Sequence, residues 1–132
     1  MENESVAQFQ VVFMSFGFKY GVPGEANMVF DARFLPNPYW VDDLRSRSGQ
    51  DQQVAEYVLG SEEGKEFLRV LVPLLRFLIE QNRRASKKDM RIAIGCTGGH
   101  HRSVAVVEAL ASILTQPGLA LSVWHRDLAK PL

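Results

Sequence analysis

Cys96-Thr97-Gly98-Gly99-His100-His101-Arg102-Ser103 is the stretch whose residue types and spacing could do chemistry. Two adjacent glycines let a backbone turn sharply and present its N–H groups inward. A helix beginning at the end of the stretch adds partial positive charge at the same point. Arg102 supplies a guanidinium fork suited to two phosphate oxygens. Thr97 and Ser103 supply hydroxyl donors, and His100 and His101 read as partly protonated donors. The combination describes an oxyanion cradle, with a phosphate group as the anion that fits. The plain alternative is a tight strand-to-helix turn with Arg102 in solvent.

The elements that must position this cradle are legible around it. Phe9–Phe16 is short, β-branched and aromatic, and apolar on both faces in its middle, as in a strand covered on both sides. Met28–Ala32 is a second strand, followed by a rigid loop with Pro36, Asn37 and Pro38. Gln50–Leu59 has a weak amphipathic pattern in Val54, Tyr57 and Val58. Ser61 reads as the N-cap of a longer helix reaching about Arg83 or Arg84, with Glu62 and Glu63 in its first turn. Phe67, Leu71, Leu74, Leu75 and Leu78 are expected on its apolar face, and Pro73 is expected to kink or divide it. Arg91–Gly95 is a third strand, Ser103–Leu114 a helix, and Leu119–His125 a fourth strand. The expectation is an α/β fold, one domain over residues 1–132, with a mostly parallel sheet of about four strands and helices on its faces.

In a parallel sheet the strands' C-terminal ends share one edge, where ligands bind. Lys19, Arg33, Asn37, His125 and Arg126 all follow or end strands, so they belong to the edge that carries the cradle. Asp31 could instead neutralise Arg33 or Lys19 in a structural ion pair. Arg83, Arg84, Lys87 and Lys88 precede a strand and belong to the opposite edge.

Other chemistries compete for the same residues. Cys-x-x-Gly-x-x-Arg-Ser is the pattern of cysteine-dependent phosphatases, with Cys96 as nucleophile, Arg102 on the phosphoryl oxygens and Asp31, Asp42 or Asp43 as acid. Against it, Gly95 stands where those enzymes usually carry histidine, and no separate acid loop is identifiable. A zinc site would have to use Cys96, His100, His101 and His125, but no pair has helical i,i+4 spacing, so no metal is expected. The pattern G-x-x-x-x-G-K-[ST] is absent, so P-loop hydrolysis is unsupported, and no cofactor is expected.

Composition narrows the classes further. The 132 residues carry 15 basic and 15 acidic side chains, which argues against a general polycation that grips nucleic acid by bulk charge. The single cysteine excludes an internal disulfide framework. No apolar stretch is long enough to span a bilayer, and the acidic start Met1-Glu2-Asn3-Glu4 is unlike a secretory signal, so a cytoplasmic protein with no membrane partner is expected. Exposed aromatics such as Tyr39 and Trp40 leave room for an oligomeric interface.

Three blocks in combination resemble the C-terminal domain of the RNase adapter protein RapZ family, also called YvcJ-like nucleotide-binding proteins. They are Ser15-Phe16-Gly17-Phe18-Lys19-Tyr20-Gly21, Asp31-Ala32-Arg33-Phe34-Leu35-Pro36-Asn37-Pro38 and Ile94–Ser103, and His125-Arg126-Asp127 fits as well. The family's usual protein is about twice as long, with a P-loop domain in the N-terminal half that is missing here. The resemblance implies an α/β domain that binds a phosphorylated metabolite and, in the best-known members, small RNA that it presents to an endoribonuclease in response to an amino-sugar phosphate. By motif, Lys19, Thr97, Gly98 and Arg102 would contact the phosphate, with Asn37 close by. A separate P-loop protein is then a candidate partner. Two departures bear on RNA. Family members often have lysine at the position of His100, and a basic tail after that of Asp127.

The sequence thus reads as a regulatory binder of a sugar phosphate or nucleotide, more a sensor than an enzyme, with Lys19, Arg33, Asn37 and Cys96–Ser103 as its ligand-binding residues. An RNA-binding adapter module and a cysteine phosphatase are the alternatives.

Overall fold

The computed structural model describes residues 8–132; the acidic Met1–Glu4 stretch lies outside them. Four strands, β1 (Phe9–Gly17), β2 (Met28–Asp31), β3 (Asp89–Cys96) and β4 (Leu119–His125), form one sheet in the order β2-β3-β1-β4. Every pairing is parallel. The registers bring the C-terminal ends level: Gly17 lies opposite Cys96, Asp31 opposite Gly95 and Ser15 opposite His125. This is the α/β domain that the alternation of periods predicts.

Four helices accompany the sheet: α1 (Asp42–Arg45), α2 (Gln52–Leu59), α3 (Glu62–Arg84) and α4 (Arg102–Leu114). All four contribute to one core with Phe9, Val11 and Phe13 of β1 and Met90, Ile92 and Ile94 of β3. The helices therefore share one face rather than both. The opposite face carries Met14, Phe16 and Ala93, covered by Phe18 and Ala26 of the loop between β1 and β2. Handedness explains the asymmetry. The steps β2→β3 and β3→β4 run in the same direction across the sheet, so right-handed crossovers put both connections on one face. The step β1→β2 runs backwards and sends its connection, which is too rich in glycine for a helix, to the other.

Capping follows side-chain chemistry. The Asp51 carboxylate accepts from the N–H groups of Gln53 and Val54 and starts α2, and the Ser61 hydroxyl accepts from Gly64 N–H and starts α3. Pro73 does not divide α3, which runs unbroken for 23 residues. Pro73 is exposed, so the carbonyl that it frees is left to water, while Leu71 and Leu75 on either side are pinned in the core. The buried stripe is Leu71, Leu75 and Ile79, with Gly64 against the end of α2. Leu74, expected inside, is 43% exposed. No helix is long and apolar enough, among the described residues, to cross a membrane.

Candidate functional site

The loop between β3 and α4 closes against the end of β1. Gly99 has φ +81°, a left-handed conformation that an L side chain adopts only with strain. A Cβ there would also stand 2.7 Å from the Gly17 backbone nitrogen, so the two segments meet backbone to backbone. Lys19 N–H donates to the Thr97 carbonyl and extends this seam.

Asp127 locks it from below. Its side chain is fully buried and accepts from Gly17 N–H at 2.7 Å, from Arg126 Nε and Nη2 at 3.0 and 2.8 Å, and from Lys130 Nζ at 2.9 Å. Burial alone would raise its pKa. The Arg126 guanidinium, the Gly17 amide and the Lys130 ammonium outweigh that cost and hold it at about 2.

Arg102, the first residue of α4, is 5% exposed. Its Nη1 donates to the carbonyls of Arg33 and Leu35 at 2.5 and 3.2 Å, and its Nη2 lies 3.3 Å from Thr97 Oγ1. Its Nε is buried with no hydrogen-bond partner. No carboxylate among the described residues pairs with it; Asp31, the acid that feels its charge, is engaged by Arg33. A buried cation without a counterion is costly, and an unsatisfied buried donor adds about 1–3 kcal/mol. An oxyanion beside the guanidinium would supply the missing countercharge.

The cavity beside this arrangement has a volume of about 320 Å³. Lys19, Asn37, Cys96, Thr97, Gly98, His100, His101 and Arg102 line it, joined by Tyr39, Trp40 and Leu132. Among the described residues no Asp or Glu side chain lines it. The Asn37 carboxamide oxygen caps the turn at Pro38–Trp40 by accepting from Tyr39 N–H, which leaves its NH2 group as the donor it can offer.

Three sequence-derived site residues stand outside the lining. The Arg33 guanidinium forms a forked pair with Asp31, with contacts of 2.8–3.2 Å, and lies 3.9 Å from the Phe18 ring centre. Its backbone carbonyl serves the site by holding Arg102. Gly99 is spent on the seam with Gly17. Ser103 is buried, and its hydroxyl and N–H meet Cys96 Sγ at 3.1 and 3.3 Å. Arg126 is likewise turned away, onto Asp127 and the Gly21 carbonyl.

Both loop histidines donate an Nε2 proton to distant backbone. His100 meets the Lys130 carbonyl at 2.6 Å, and His101 meets the Arg45 carbonyl at 2.9 Å. Burial, reinforced by the charge of Arg102, pushes His101 below the usual histidine range, although the Arg45 carbonyl pulls the other way. The expectation of a partly protonated His101 is corrected accordingly; the ring is a neutral latch. His125 sits elsewhere, between Ser15 Oγ at 2.6 Å on Nδ1 and Glu108 Oε2 at 2.7 Å on Nε2, and ties α4 to the sheet. Among the described residues no three His, Cys, Asp or Glu side chains gather at metal-binding range.

Residues 9–129 match the family model of the RapZ C-terminal domain. The chain belongs to the RapZ C-terminal domain family. Among curated relatives, nucleotide-binding proteins of Mycobacteroides abscessus and Mycobacterium leprae are each 52% identical, over 129 and 130 residues, or 97% of this chain. A nucleotide-binding protein of Caldanaerobacter subterraneus is 51% identical over 117 residues, or 89% of this chain. The chain spans only 41–43% of the length of these relatives. Family membership agrees with the resemblance drawn from the three sequence blocks.

Sequence reasoning missed the roles of Tyr39, Trp40, Leu132 and Asp127. The two aromatics followed Asn37-Pro38 directly and stood out as exposed, which was the available signal. Nothing local marks Leu132.

The geometry also bears on Gly95, where cysteine phosphatases usually carry histidine. A Cβ there would lie 2.4 Å from Phe16 Cζ and 2.6 Å from Phe18 Cε2. Gly95→Ala is expected to cost about 1–3 kcal/mol by overpacking these rings, measured by urea unfolding. An unchanged midpoint would show that the rings yield freely.

Proposed function

We propose that this domain binds a phosphorylated small molecule, a sugar phosphate or a nucleotide, with its phosphate on the Thr97–Arg102 cradle, and that it does so as a sensor. The observation that carries this reading is Arg102, a buried guanidinium at a helix N-terminus with no carboxylate partner and with Nε unsatisfied among the described residues. Lys19, Thr97 Oγ1 and the Asn37 amide are within the same cavity as further donors. Tyr39 and Trp40, 40% and 75% exposed at the rim, offer apolar faces to a sugar or a base. A cavity of about 320 Å³ suits a small ligand better than a long polyanion. No Asp or Glu side chain among the described residues lines the cavity, which speaks against the phosphatase reading.

The test is a thermal-shift series with inorganic phosphate, hexose and amino-sugar phosphates, and nucleoside phosphates. A ligand at a hundred times its Kd is expected to add about 2.7 kcal/mol, a shift of several degrees. Arg102→Ala abolishes the shift. Arg33→Ala retains it, because the guanidinium is held by Asp31 and the carbonyl that serves Arg102 survives the substitution. Equal shifts in wild type and Arg102→Ala would overturn the reading.

A further inference from the structure

Residues 128–132 turn back from the buried Asp127 and run along the cavity. Lys130 N–H donates to the Asp127 carbonyl at 3.1 Å, and Lys130 Nζ returns to the Asp127 carboxylate at 2.9 Å, over the Tyr20 ring. The Lys130 carbonyl accepts from His100 Nε2 at 2.6 Å, and the Pro131 carbonyl accepts from the Tyr20 hydroxyl at 3.3 Å. The segment is thus fastened on two sides. Tyr20 follows Lys19 in the turn after β1, and His100 follows Gly98-Gly99 in the loop after β3. Leu132 then joins Tyr39 and Trp40 in the cavity lining. These fastenings are polar, and 129–132 are exposed, so the segment can lift without opening the core.

We infer that residues 128–132 are a strap that closes over the ligand in the cradle, an inference that rests on the phosphate-binding reading above. The strap is a wall and not a plug, because about 320 Å³ stays open with Leu132 already in the lining. The His100 imidazole is the coupling element. Its Nε2 holds the strap, and its Nδ1 faces the cradle backbone, where a Cβ built on Gly98 would stand 3.5 Å away. A phosphate that fixes the loop at Gly98 fixes this ring, and the ring fixes the strap. Tyr20 adds a second tie through the turn that carries Lys19. Coupling of this kind is reciprocal: the factor by which closure strengthens phosphate binding is the factor by which phosphate favours closure.

Two readouts on the 132-residue chain test this: calorimetric titration with inorganic phosphate, and release of Leu132 by a carboxypeptidase. Release tracks the open population when opening is fast relative to cleavage. Saturating phosphate is expected to slow release about fivefold. Tyr20→Phe combined with Pro131→Gly removes the hydroxyl tie and loosens the strap, and neither residue lines the cavity. This double variant is expected to release Leu132 faster and to bind phosphate about fivefold more weakly. Arg102→Ala is expected to release Leu132 at one rate with or without phosphate. Circular dichroism checks that each variant is folded. Wild type that binds phosphate with its release rate unchanged overturns the strap and leaves the binding reading standing. So does wild-type phosphate affinity in the double variant, or release that phosphate slows equally in Arg102→Ala. Wild type that binds no phosphate overturns the binding reading and the strap with it.

Discussion

Asp127→Asn is expected to destabilise the domain by about 2 kcal/mol at neutral pH and to change its response to acid. The carboxyl is held at about 2 in the folded chain against 3.8 for a free aspartate, and a shift of this size corresponds to about 2 kcal/mol. A group whose pKa is lowered by folding contributes stability above its unfolded pKa. That contribution is lost as pH falls through the folded value. Wild type should therefore lose this increment between about pH 4 and pH 2. The asparagine variant has no such increment to lose, so the two stabilities should converge in that window. Asp31, Glu66 and Glu80 are also lowered by their arginine partners, but they are common to both proteins and cancel in the difference. Urea midpoints at a series of pH values measure it. A constant gap between the two proteins across the window would show that the carboxylate's charge is not what holds the Gly17 seam.

The second large effect is at Arg102. Truncation to alanine should lower affinity for the best phosphorylated ligand by about two orders of magnitude, since two charge-assisted hydrogen bonds are each worth about 1.5–3 kcal/mol. Arg102→Lys separates charge from geometry. A lysine keeps the positive charge but has no fork, and its single nitrogen cannot occupy both the Nη1 position at the Arg33 and Leu35 carbonyls and the Nη2 position beside Thr97. It should recover little of the lost affinity. Calorimetric titration measures both variants, with unfolding curves to show that they are folded. Full affinity in Arg102→Lys would mean that a point charge suffices and that the cradle reads less shape than its residues suggest.

Much of this site was legible because its signal is local. A strand, two glycines, a helix and an arginine fall within a dozen residues, and the parallel order then assigns Lys19 and Asn37 to the same edge. The choice of partners was less legible. Arg33 and Arg126 are at the predicted edge, but each turns to an aspartate close in sequence, Asp31 or Asp127, that competes for its guanidinium. His100 and His101 are bound to carbonyls 30 and 56 residues away, contacts that no local pattern encodes. Placing the helices on one face needed the strand order, which periodicity does not supply. Leu74 belonged to an apolar run broad enough for either side of α3, and only the packing of Leu71 and Leu75 fixes which side is buried.

The seam described above has a consequence for how the domain forms. Gly17 and Asp127 are 110 residues apart, and the Arg102 contacts reach back 69 and 67 residues. The Gly17–Asp127 link needs β4 docked on β1 and the Arg102 links need β2 docked on β3, and loop-closure entropy disfavours such distant contacts. The candidate site thus takes its shape only once strands distant in sequence have docked. A substitution that slows the docking of β4 delays ligand competence by the same factor, even when it touches nothing in the cavity.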